Sequence, residues 1–222
     1  MFAAGLANLI PGIGGILSAS ITKGFAQHAD QRWRRFLGEF VDVVNELDSR
    51  VGELEAAALT ASDEFYDATI AVAKVAAATA GESKRRMLQN ALLNMALKVD
   101  GVGDASPSMQ VTLLRYVEEL SEDHFKLLRF FSDPAGMKGG KPVPTERMSS
   151  FDRQVITAFP EWNGNALWVR AVANDLTSRG LIGQIDVRAE RGSEWTRPLL
   201  QVMGRRLMAL VSGPFDSPRP LR

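Results

Sequence analysis

The chain has 222 residues, 45% of them apolar and 23% charged, enough to build a core without disulfide or metal staples. Twenty-six basic residues balance 26 acidic ones and there is no cysteine, so thiol catalysis, thiolate metal sites and wholesale attraction to polyanions are excluded. The lack of cysteine fits a reducing compartment, and a cytoplasmic location, with peripheral attachment at the inner face of a membrane as a variant, is the expectation.

No charged side chain occurs from Met1 to Thr22. Within it Leu6, Leu9, Ile10, Ile13, Ile16 and Leu17 recur at spacings of three and four, which makes a bulky helical stripe, while Ala4, Asn8, Gly12, Gly15 and Ala19 leave the other side nearly bare. Pro11 and the glycines of Leu9–Leu17 (LIPGIGGIL) weaken a helix interior by about 1 kcal/mol per glycine and about 3 for proline, so a lone membrane span is disfavoured. A cleaved signal is disfavoured too, because the first residues lack Lys and Arg. Two readings remain: a bent helical entry packed on its own core, or a segment that self-associates or enters lipid through its stripe.

From Asp30 the pattern is clearer. Leu37, Phe40, Val44, Leu47, Val51, Leu54 and Ala58 alternate spacings of three and four, a heptad seam that predicts pairing with another helix. Trp33 and Phe36 widen the stripe, and Arg32, Arg34 and Arg35 surround them as a solvated helix start or as the basic-aromatic flank of a membrane anchor.

Thr60 and Asp63 read as a capping pair for a helix to Ala80, with Phe65, Thr69, Val72 and Ala76 on one side and Asp63, Glu64 and Asp67 on a solvated face. Gly81 stops it. The next helix spans Glu82–Lys98, with Leu88, Ala91, Leu92 and Met95 inward; its Lys84-Arg85-Arg86 run opposes the helix dipole unless an acidic partner compensates. Ser106 and Pro107 open a further helix through Met109, Leu113, Tyr116, Val117 and Leu120, and Ser121 caps another at Glu122–Phe131.

Three prolines and three glycines at Ser132–Pro144 predict a loop, followed by helices at Ser150–Phe159 and Asn165–Arg179, the latter closed by Gly180. Ile182–Arg188 then reads as a strand, Glu190–Ser193 as a turn, Glu194–Arg197 as a short return, and Leu199–Val211 as a last helix after Pro198. Three helices, a two-stranded ribbon and a closing helix is the order of a winged-helix module. The expected class is therefore mainly α: an N-terminal helical bundle with a C-terminal winged-helix-like module containing a small β-ribbon. Its segments are 1–29, 30–120, 121–212 with a loop at 132–149, and a tail at 213–222.

In such a module Arg170, Asn174 and Arg179 would meet nucleic acid from the recognition helix, and Arg188 and Arg191 from the wing. Met148–Arg222 holds ten arginines, no lysine and seven acids, a net +3, which is weak for a DNA reader; docking to protein is the equal alternative.

The segments Ser83–Asn94 (SKRRMLQNALLN) and Leu113–Phe131 (LLRYVEELSEDHFKLLRFF), followed by Gly180–Ile182 (GLI) and Met203–Leu207 (MGRRL), resemble the abortive-infection alpha family of bacterial proteins. That resemblance implies a helical protein linked to phage defence and carries over no site residue.

No pattern specifies a reaction. His28 and His124 are the only histidines and neither has carboxylates at metal-ligand spacing; Gly12–Gly15 lacks the lysine and serine of a phosphate loop. The expectation is a non-enzyme without cofactor, acting on a protein partner, on copies of itself or on a membrane. A dimeric winged-helix transcriptional regulator is the alternative.

Overall fold

The computed structural model describes residues 31–32, 34–36, 38–39, 63–78, 81–134, 150–185 and 199–213. The N-terminal stripe from Leu6 to Leu17, Trp33, all seam residues from Leu37 to Ala58, the loop from 135 to 149, and Arg188 and Arg191 lie outside them. The described residues are overwhelmingly helical: residues 31–39 at every described position, then α1 (Asp63–Ala78), α2 (Glu82–Ala96), α3 (Pro107–Glu119), α4 (Glu122–Ser132), α5 (Ser150–Ala158), α6 (Ala166–Ser178) and α7 (Val202–Val211), with a 3-10 turn at Pro160–Trp162. No described helix is long and apolar enough to cross a membrane. Contacts divide the chain into two units, Met1–Glu118 with Ala209–Arg222, and Glu119–Met208.

In the first unit α1 and α2 pack as neighbours. Val72 and Ala76 of α1 and Leu88, Ala91 and Leu92 of α2 are fully buried, as their spacing predicts, while Met95 is only partly covered. Phe36 is buried and Arg32, Arg34 and Arg35 are exposed, so the aromatic stays inward while the cations beside it remain in water. The charge run at the start of α2 has partners. Lys84 Nζ donates to the Glu118 carbonyl at 2.6 Å, and Glu39 Oε2 accepts from Arg85 Nε at 3.5 Å and Gln89 Nε2 at 3.0 Å, which supplies the acidic compensation a cationic helix start requires. Ser106 caps α3, its Oγ accepting the Met109 N–H at 3.3 Å.

Deeper along α2 the buried face turns polar. Asn90 and Asn94 are 7% and 3% exposed. Asn90 Nδ2 donates to the Val211 carbonyl at 2.9 Å, and Asn94 Nδ2 lies within 2.8 to 2.9 Å of the carbonyls of Ala209, Leu210 and Ser212. The end of α7 has carbonyls with no partner of their own helix, and the two asparagines satisfy them from outside. This explains why Ala209 onward groups with the first unit.

The second unit is built on phenylalanine. Phe131 stacks on Phe151 (6.4 Å, 8° between planes) and meets Phe130 edge-on at 5.3 Å; Phe159 packs on Trp162 at 4.6 Å. α6 lays Val169, Val172, Ala173 and Leu176 onto this core. It ends as Gly180 adopts φ +68°, a conformation glycine takes without strain, and the Leu181 N–H returns to the Leu176 carbonyl at 3.0 Å.

The expected strand from Ile182 does not form within the described residues, which contain no strand. One antiparallel bridge joins Ile182 to Leu200, with Gly183 N–H on the Leu199 carbonyl (2.9 Å) and Gln201 N–H on the Leu181 carbonyl (3.0 Å). At this bridge the two return donors are engaged elsewhere: Leu199 N–H reaches the Phe131 carbonyl at 2.9 Å and Leu181 N–H closes the end of α6 at 3.0 Å. The same bridge delays α7. Leu199–Gln201 is extended, so the helix begins at Val202 and not at Leu199. Gly204 then sets the bare backbone of α7 against Leu181, where an added Cβ would lie 2.0 Å from the carbonyl oxygen.

Candidate functional site

α6 is the element from which the predicted recognition residues project, and it shows where each one goes. Arg170 does not face solvent as a free cation. Its Nε donates to Asp152 Oδ1 at 3.1 Å and its Nη2 to Asp152 Oδ2, a two-pronged pair on a carboxylate that is 1% exposed. Arg179 is held likewise, its Nε on Asp175 Oδ2 at 2.9 Å and its Nη1 on Glu119 Oε2 at 2.8 Å. These partners, Asp152 for Arg170, Glu119 and then Asp175 for Arg179, hold both guanidiniums still more firmly charged. Asn174 alone of the three described candidates is exposed. The helix brings Arg170, Asn174 and Arg179 onto one element, but both cations are spent on carboxylates of their own unit.

What α6 does present is apolar. Leu167 is 81% and Trp168 50% exposed, and Ala171, Asn174 and Ser178 continue the outer side at helical spacing. Trp168 is fixed in place: its indole Nε1–H donates to Asp123 Oδ2 at 2.8 Å. A half-exposed tryptophan tied at its polar edge thus stands next to a nearly bare leucine.

Behind Trp168 runs a hydrogen-bond chain absent from the sequence reading. Ser121 begins α4, and the His124 ring reaches back to it: the Ser121 N–H meets Nδ1 at 3.2 Å and the Ser121 Oγ lies 2.7 Å from the same nitrogen. His124 Nε2 lies 3.1 Å from Asp175 Oδ2. Nδ1 therefore accepts, Nε2 carries the proton, and the neutral ring serves as the third residue of a capping box. Burial lowers the His124 pKa below its ordinary value, and the nearby Asp175 carboxylate opposes that shift without reversing it. Asp175 thus joins His124 to Arg179 and so to Glu119. Among the described residues no three His, Asp or Glu side chains converge as metal ligands.

His124 was legible only as a lone histidine. Its spacing of three from Ser121 matches the capping-box interval, with imidazole in place of the usual Glu or Gln, and that was the available signal. Leu167 and Trp168 had none, because two apolar residues in the first turn of a predicted helix read as core.

No protein-family profile, curated protein or solved structure matches the chain.

Proposed function

We propose that this chain is a non-enzymatic helical interaction protein whose C-terminal module docks another protein through the outer side of α6. The observation that carries the reading is the inversion on that helix: Arg170 and Arg179 are engaged by Asp152, Asp175 and Glu119, while Leu167 and Trp168 stand in solvent. A DNA-reading helix needs the opposite, mobile cations and amides toward phosphates and base edges with its apolar residues inward. The winged-helix part of the proposal rests on element order alone: three helices, α4 to α6, then the Ile182–Leu200 bridge and the closing helix α7. Within the proposal the stripe from Leu6 to Leu17 remains the self-associating or membrane-seeking segment, and the family resemblance gives phage defence or stress response as the setting.

Gel shift of the full chain on mixed-sequence duplex DNA over a salt series tests the reading. The expected result is no shift at physiological salt that Asn174→Ala or Arg179→Ala removes. A shift that weakens steeply with salt and is lost in those variants would establish the regulator instead.

A further inference from the structure

Resting on that docking reading, we infer that the partner presents a cationic amphipathic segment, lysine or arginine interleaved with apolar side chains, to the flank of α6 that carries Trp168. The argument is charge complementarity. Trp168, Asp175 and Arg179 share one line of the helix, next to the line of Leu167, Ala171, Asn174 and Ser178. Along that flank stand Asp123, bonded to the indole; Asp175, between His124 and Arg179; and Glu119, on Arg179, while Glu122, the chain neighbour of Asp123, is exposed in the first turn of α4. In the bonds given for this flank, Asp123, Asp175 and Glu119 face one guanidinium and a histidine whose charged form burial disfavours. The nearby cation, Lys126, faces Glu161 at 3.1 Å and lies over the Trp162 ring, while Arg170 is held by Asp152.

An apolar pair beside an anionic flank repels phosphate and anionic lipid and favours a basic helix whose apolar side seats on Leu167 and Trp168. Burial of such a contact strengthens the attraction, and rim charges set salt dependence and choice of partner more than total affinity.

Selection from a random-peptide display library on the full chain, counter-screened on Leu167→Ser, tests this. Leu167 is so exposed that its replacement leaves the fold intact, which a matching thermal melt confirms. Peptides that depend on Leu167 are expected to carry net positive charge and to bind Glu122→Lys about two- to fivefold more weakly. Neutral or acidic Leu167-dependent peptides, with no effect of Glu122→Lys, would overturn the cationic partner and leave the docking reading standing. The absence of any Leu167-dependent peptide would overturn the docking reading itself. Self-association of the chain lost in Leu167→Ser would make the occupant a second copy and overturn the inference.

Discussion

Helices α2 and α6 break the rule of apolar inside and polar outside in opposite directions. α2 buries Gln89, Asn90 and Asn94, and α6 exposes Leu167 and Trp168. The buried amide N–H groups of α2 find their acceptors in the open carbonyls at the end of α7 and in the Glu39 carboxylate. The exposed apolar residues of α6 have no such account among the described residues of their unit. A polar group inside proteins is retained when it is satisfied, whereas a large apolar surface outside is retained when something covers it. The first inversion is therefore architectural, and the second is the one on which the proposed docking function rests.

The largest effect is expected where α6 does bury a charge. Arg170→Ala leaves the 1% exposed Asp152 carboxylate without its two-pronged partner and should cost about 3 kcal/mol, the low end for a broken buried pair because Arg170 is itself part-exposed. Urea unfolding measures it. A loss within a few tenths of a kcal/mol would mean that the arginine is a surface residue after all, available for a ligand, and the contrast between the helices would narrow.

Asn94→Leu is expected to come next, at about 2 kcal/mol, because an apolar side chain of similar size replaces an amide whose two N–H groups are shared among the carbonyls at the end of α7. Hydrogen exchange should localise the damage, with the amides of α7 losing protection first. Uniform loss of protection, or none, would contradict the capping role.

Much of the fold was legible from sequence for a simple reason: helical spacing of three and four survives the loss of all tertiary information. α1 to α6 fall within a few residues of the expected bounds, and the Ser106, Ser121 and Gly180 boundaries are local chemistry. The failures are non-local. Within the described residues the expected strand from Ile182 is reduced to one bridge, and Phe131, more than 60 residues upstream in the chain, takes the Leu199 N–H that would have paired beside it. Asn90 and Asn94 fall on the apolar stripe of α2, and their i, i+4 spacing was readable, but the carbonyls they serve lie more than 100 residues away. Arg170 and Arg179 were counted as available cations because a sequence shows charge without showing its partner; Asp152 lies on α5, and Glu119 ends α3.

The third expectation separates a structural role for the His124 chain from any other. Because burial holds the folded pKa below the ordinary 6.5, the unfolded chain binds the proton more readily. His124 thus contributes stability that is fully present above 6.5 and is lost as pH falls from there through the depressed folded value. His124→Gln keeps an acceptor for the Ser121 N–H and cannot titrate, so its stability should vary less over that interval. Equal slopes for the two proteins in thermal melts across that range would show that the ring is not held neutral.

The smallest effect on stability carries the most weight for function. Leu167→Ser removes an apolar side chain that is 81% in water in the free protein, so its burial contributes almost nothing to folding and the change should stay within about 0.5 kcal/mol. Asn94→Leu makes the reverse exchange of polarity on α2 and is expected to cost several times as much. If Leu167→Ser proved as damaging, Leu167 would have to be covered within the chain and the docking proposal would lose its surface. A silent substitution in melts that nonetheless abolishes peptide binding is the combination that only an external contact produces. Trp168→Phe refines it further: the ring remains for packing while the bond to Asp123 is lost, so a modest drop in binding would measure how far that bond preorganises the surface.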